Sequence, residues 1–381
     1  MSRVARSRTR RTILVAASPL IAAAAILAAP LNGVGAVSSQ GSSASLRPAS
    51  SWKDIAPLPV AEVSQTATLL SNGDALIIGG EDVAYGRPTN TVQRYNVASG
   101  KWLIAAPMRW ERIGHTATLL KDGRVLVVGG LGKKLQGLRT AEVYNPVRNT
   151  WTTAAQLPAT RFSQSASRLP DGRVLVVGGI VGRTISRSTL IFDPHTFTWK
   201  SGPSTHYPHA QQATVTMGGG RILIAGGYGG KAEVFDPARN AWTEVGGPGL
   251  RAHPVLSPLR GGNVLLASGV NSLGQPFDSA ELFNPRTDRW RSAAGMRTGR
   301  DTPIGVELRD GRVLVAGGGF NQRVLDSAEI YDSRTNTWSA AAPMHHARSA
   351  ASALLLRSGG VLVCGGTRFG TVLSSCELYH P

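Results

Sequence analysis

The stretch Lys121 to Gly130, KDGRVLVVGG, decides the fold. An Asp-Gly pair supplies the positive φ of a tight hairpin, β-branched and apolar residues follow as a strand, and a Gly-Gly doublet stops it. The pattern occurs seven times. Aligned on the first residue of the doublet it falls at Gly79, Gly129, Gly178, Gly226, Ser268, Gly317 and Gly365, with separations of 50, 49, 48, 42, 49 and 48 residues. A fixed period in that range means a repeat architecture and not a single folded unit.

Unit two shows the reading outward from this stretch. Arg112 to Leu120 is predicted as a first strand of small and apolar residues, and Val125 to Val128 as a second strand buried on both faces. The hairpin pair recurs as Asn72-Gly73, Asp171-Gly172, Gly219-Gly220, Gly261-Gly262, Asp310-Gly311 and Ser358-Gly359. A third strand, Thr140 to Tyr144, runs into the turn Asn145 to Asn149, and a fourth strand carries Trp151. Asn149, Asn240, Asn336 and Gly100 tolerate the left-handed conformation this turn needs; Phe197 is the bulky exception.

Four antiparallel strands per unit, with a Tyr or Phe on the third and a Trp seven residues later, resemble the kelch motif. The resemblance spans residues 51–381. Aromatics at 95, 144, 192, 235, 283, 331 and 379 keep register with Trp102, Trp151, Trp199, Trp242, Trp290 and Trp338. Two departures stand out: Ser268-Gly269 replaces one doublet, and Leu190 stands where other units have Glu142, Glu233, Glu281, Glu329 and Glu377. The resemblance implies an all-β, seven-bladed β-propeller of four-stranded blades. The last unit ends at Tyr379-His380-Pro381 without its Trp strand, while Ser51-Trp52-Lys53 is such a strand without a unit. The N-terminal strand is therefore expected to complete the last blade and close the ring, leaving no exposed sheet edge.

Ahead of this domain, residues 1–36 read as an export signal: five Arg and no acid, then an apolar segment from Thr12 to Leu31, then Val34-Gly35-Ala36 as a cleavage site. A retained membrane anchor is the competing reading. Arg10-Arg11 followed by Ile13-Leu14 fits twin-arginine export as well as ordinary secretion. No Cys lies in the first 360 residues, which excludes a lipoprotein. Residues 37–50 are a Ser-rich flexible linker. The expected location is secreted or on the cell-envelope exterior, as a monomer with no membrane span once the signal is removed.

The formal charge is +18, and removing five arginines with the signal leaves 18 − 5 = +13. A basic exported protein suits an anionic polysaccharide, a cell-wall polymer or an acidic protein surface. Export and the lack of a basic run with interleaved aromatics argue against nucleic acid. Cys364 and Cys376 replace small or apolar residues at facing positions of one blade, and in an oxidising compartment they are expected to form a disulfide.

Binding residues favour loops held on a rigid scaffold, which points to the side bearing the variable loops at 81–90, 131–139, 180–187, 270–278, 319–326 and 367–374. Where the first strand enters from that side stand Arg112, Arg161, Arg251, Arg300 and Arg348, with Glu62 and His209 in the other two units. Two readings are open: a ring of forked donors at the channel mouth for carboxylates or sulfates, or a structural set paired with glutamates such as Glu142 and Glu329. In the first, Glu62 and His209 would write the specificity.

The kelch resemblance also extends to galactose oxidase and glyoxal oxidases, seven-bladed propellers with a copper site of two Tyr, two His and a Cys joined to one Tyr. It would imply copper held by some of His206, His209, His345 and His346, with Tyr85 and Tyr228 as phenolates. The only two cysteines are better explained by each other, and the pair Tyr379-His380 lies on the opposite side, so a binding module without cofactor is the leading expectation. Asp-box repeats, a phosphate-binding Gly-rich loop and a nucleophile elbow are all missing from the sequence.

Overall fold

A computed structural model describes residues 50–82 and 86–381; the signal, residues 37–49 of the linker and Tyr85 lie outside the described residues. Among these, seven four-stranded antiparallel sheets follow one another as blades. Their second strands are Ala75–Ile78, Val125–Val128, Val174–Val177, Ile222–Ala225, Val264–Ala267, Val313–Ala316 and Val361–Cys364, defining blades one to seven. Every residue of these strands is buried, as expected for apolar runs with sheet on either side and neighbouring blades above and below. No helix among the described residues is long and apolar enough to cross a membrane.

The first strands ring the axis. Each touches the first strands of both neighbours, and the circuit runs from Thr66–Leu69 through Thr116–Leu119, Ser165–Arg168, Ala213–Thr216, Val255–Pro258 and Ile304–Glu307 to Ser352–Leu355 and back. They are shorter than the sequence suggests, because the residue two after each arginine position takes a left-handed conformation. Ser64, Gly114, Ser163, Gln211, His253, Thr302 and Ala350 all have φ between 46° and 64°, which breaks the strand before it reaches the arginine.

On the outer half of each blade the third-strand aromatic pairs with the fourth-strand Trp, their ring centroids 4.9–5.1 Å apart. Six of the seven indole N–H groups then donate to a carbonyl in the preceding blade: Trp102 to Ala56, Trp151 to Ala106, Trp199 to Ala155, Trp242 to Pro203, Trp338 to Ala294 and Trp52 to Ala342. Trp52 and Trp102 complete this chain of contacts across the ends of the polypeptide. Ser51–Ile55 pairs in register with Cys376–His380, so blade seven takes its outermost strand from the N-terminal side. Cys364 and Cys376 are direct partners on the adjoining strands, with Cα atoms 4.2 Å apart, and form a disulfide.

The connections between first and second strands and between third and fourth emerge on one side as short turns; the remaining two connections emerge on the other. Phe197 holds the bulky turn with φ 59° and covers it with its ring, over which the Arg124 guanidinium lies at 4.9 Å.

A chain beginning at Ser50 should melt where the longer chain does. Trp52→Ala, which removes a buried ring and its bond to Ala342, should cost about 3–5 kcal/mol. Beginning the chain at Asp54 should be at least as damaging. Calorimetry checks this, and an unchanged melting temperature for the chain from Asp54 refutes closure through this strand.

Candidate functional site

The repeated arginines lie inside the blades and not at the channel mouth. Arg112, Arg161, Arg251, Arg300 and Arg348 are at most 2% exposed. Each turns its guanidinium onto the first residue of its own blade's doublet, donating from Nη1 to the carbonyls of Gly129, Gly178, Ser268, Gly317 and Gly365 at 2.5–3.3 Å. Nη2 donates to the hydroxyl of Thr140, Ser188, Ser279, Ser327 and Ser375, the residue just before or at the head of the third strand. In three blades Nη2 also reaches a buried carboxylate: Glu142 at 2.7 Å, Glu329 at 3.0 Å and Glu377 at 2.7 Å. The other carboxylate oxygen accepts the backbone N–H of Arg109, Arg297 or His345, fixing the connection that enters the blade. Burial pulls these guanidinium pKa values down, and in the three paired blades the carboxylate opposes it.

Blade one substitutes both partners and blade four the arginine alone. In blade one Glu62 takes the arginine position and Gln93 the glutamate position, 3.0 Å apart, with Thr89 donating to the other Glu62 oxygen. Burial is the main force on Glu62 and pushes its pKa to about 7, with the nearby Asp82 adding to it. In blade four His209 meets Glu233 at 2.9 Å and the exposed His206 joins at 2.7 Å. Burial works against ionisation of Glu233, yet His209, the backbone and ring of His206 and the Tyr207 N–H together hold its pKa down to about 2. In blade three Leu190 leaves Arg161 without a carboxylate, and burial pulls Arg161 to about 10. In blade five Glu281 stays 3.7 Å from Arg251, which stacks on Phe277 instead. Glu62 and His209, expected to write specificity, are fully buried and serve the same clamp. The recurring clamp also uses the Thr or Ser hydroxyls, whose signal in the sequence is a hydroxyl residue two positions before the glutamate position.

What reaches the surface on the loop-rich side, fully or in part, varies from blade to blade. The position two before the arginine is Val60, Trp110, Ala159, Tyr207, Gly249, Thr298 and His346. Trp110 is the one tryptophan outside the repeat. The Arg109 guanidinium lies 5.0 Å from its ring centroid. Ile113 bridges Leu131 and so brings the Trp110 segment beside the loop bearing exposed Lys133 and Lys134. Blade three follows with exposed Arg183.

Among the described residues the four candidate copper histidines fall in two separate blades. Both cysteines are consumed in the disulfide, so neither can join a tyrosine. His206 and His209 are held by Glu233 in blade four, while His345 and His346 sit beside Asp54 in blade seven.

Seven blades of this construction define a kelch propeller, and the chain belongs to the kelch-repeat family. The KLHDC2/KLHL20/DRC7 Kelch-repeats domain matches residues 64–258, and the Kelch motif matches residues 261–297 and 302–345. No curated protein matches the sequence. Among solved structures it is similar to a novel fungal alcohol oxidase of the AA5 family in complex with copper. The two are 18% identical with a TM-score of 0.71, over 87% of this chain and 76% of the oxidase. It is also similar to YjhT, 16% identical with a TM-score of 0.60, over 76% of this chain and 99% of YjhT. At these identities the likeness is one of fold.

Arg300→Ala strips Glu329 of its buried partner and should cost about 3–5 kcal/mol, lowering the melting temperature by several degrees with no ligand present. An unaltered melting curve would return Arg300 to the pool of solvent-facing binding residues. Glu62 predicts a pH effect of defined sign. Between the ordinary carboxylate pKa of 4.5 and about 7 the native state keeps a proton that the unfolded chain has released, so stability falls as pH rises through that window. Glu62→Gln should remove this slope and raise stability at pH 8 by on the order of 2 kcal/mol. Parallel urea titrations of parent and variant at pH 5 and pH 8 measure it; equal slopes would show that Glu62 titrates normally.

Proposed function

We propose that this protein is an exported kelch binding module that holds an anionic glycan on the loop-rich side of blades two and three. The observation that carries the reading is the off-repeat Trp110, with Arg109 against it and Lys133 and Lys134 on the adjoining loop. An indole face suits the apolar face of a sugar ring, and the cations suit its carboxylates or sulfates. On the short-turn side five arginines are paired with aspartates, Arg94 with Asp74, Arg124 with Asp122, Arg173 with Asp171, Arg312 with Asp310 and Arg334 with Asp332, while Arg148, Arg260, Arg309 and Arg357 stay exposed. The cations of loops 131–139 and 180–187 have no acid within either loop. The buried clamp supports the reading by elimination, since its donors are spent on the scaffold.

Binding should be read by calorimetry with a polyuronate and with its carboxyl-reduced neutral counterpart. The acidic polymer should bind with an affinity that falls as salt rises, and Lys133→Glu combined with Lys134→Glu should weaken it at least tenfold. Trp110→Ala should weaken it comparably while leaving the melting temperature nearly unchanged. Equal affinity for the neutral polymer, or a glycan array with no acidic hit, would overturn the anionic-glycan reading and move the site toward an acidic protein partner.

A further inference from the structure

The closing blade carries a side-chain cluster that neither the clamp nor the loop face accounts for. Asp54 lies on the N-terminal strand opposite Glu377, and His345 and His346 lie in the connection entering blade seven. His345 Nδ1 is 3.0 Å from Asp54 Oδ2, and His346 Nε2 is 3.7 Å from Asp54 Oδ1. The ligand atoms of Asp54, His345 and Glu377 all fall within 4.8 Å of one another. The N-terminal strand thus brings Asp54 against both histidines of the connection entering blade seven, His345 on one carboxylate oxygen and His346 on the other.

Glu377 prepares the pair. Its carboxylate accepts the backbone N–H of His345 at 2.7 Å and of His346 at 3.2 Å while it holds Arg348. The histidine backbones are pinned from behind, and both rings, about half exposed, are left to face Asp54. Blade four offers the comparison. There Glu244 takes the strand position of Asp54 but bonds Tyr207 and Lys231, and no second imidazole stands at the position of His346. Among the described residues the combination of acid and paired histidines occurs only where the ring is closed.

We propose that Asp54, His345 and His346 bind one divalent transition-metal ion, zinc by the match of donors, and that the ion ties the closing N-terminal strand to blade seven. Two imidazoles with one carboxylate are a borderline-soft set suited to zinc, with water completing the coordination. Bonds of about 2.0–2.2 Å place neighbouring ligand atoms roughly 3.0–3.6 Å apart; His345 Nδ1 already stands at that spacing from Asp54 Oδ2, and the half-exposed His346 ring has to turn toward the same oxygen to join them. The ion would replace a hydrogen bond between Asp54 and His345 with two coordinate bonds, linking residues 291 positions apart. Because the strand it holds closes the ring, binding energy appears as stability of the whole propeller.

The test is titration of the chelator-treated full chain with zinc chloride at pH 7.5, by calorimetry and by thermal melting. One equivalent should bind, and saturating zinc should raise the melting temperature by at least 5 °C. Asp54→Asn, a change at an exposed side chain, should fold normally, lose at least tenfold in affinity and lose the thermal shift. His345→Ala with His346→Ala should abolish both, whereas His206→Ala should behave as the parent. Absence of heat and of any shift in the parent, or Asp54→Asn binding zinc as tightly as the parent, would overturn the proposal. Failure of the glycan experiment would leave this result untouched, since the two sites share no residue.

Discussion

The interaction on which the propeller depends is a backbone hydrogen bond between neighbouring blades, made seven times. The N–H of the second doublet residue donates to the carbonyl of the residue at the next blade's arginine position: Gly80 to Arg112, Gly130 to Arg161, Gly179 to His209, Gly227 to Arg251, Gly269 to Arg300, Gly318 to Arg348 and Gly366 to Glu62. The last of these crosses from blade seven to blade one. Closure of the inner ring is thereby independent of the N-terminal strand, which closes the outer rim.

This bond explains both ends of the repeat. At the doublet the chain takes positive φ in close approach to the neighbour's backbone, and a Cβ at Gly129 or Gly178 would collide with the Arg161 or His209 carbonyl. Ser268 is tolerated because its hydroxyl donates to the Arg300 carbonyl at 2.6 Å, turning the collision into a hydrogen bond. At the other end the guanidinium returns into its own blade to hold the doublet carbonyl. One residue thus fixes a blade internally through its side chain and to its neighbour through its backbone. Blades one and four keep the backbone bond and change the side-chain chemistry, replacing an Arg–Glu pair with Glu–Gln or His–Glu. The side chain is exchangeable as long as the buried donors and acceptors stay matched.

A scaffold that absorbs its recurrent charges internally leaves recognition to residues that do not recur. Trp110, Lys133, Lys134 and Arg183 meet that condition on one side, and Asp54 with His345 and His346 meets it at the closing rim. Rigid blades and variable connections separate the requirements of stability from those of binding.

The sequence by itself determined the blades, because strand, turn and stop are local patterns. An Asp-Gly pair, a four-residue apolar run and a Tyr–Trp spacing of seven each constrain a few neighbouring residues, and their period counts the units. The orphan Trp52 strand and the two cysteines were legible for the same reason, as departures from an otherwise regular pattern. Tertiary structure alone decided the arginines. A guanidinium at a strand entrance can point into the channel or back into the blade, and the choice rests on carbonyls and hydroxyls 17 to 28 residues away that come within reach only when the blade has formed. It likewise decided that Asp54 meets His345 across 291 positions, since no local rule records which surfaces a closed ring brings together.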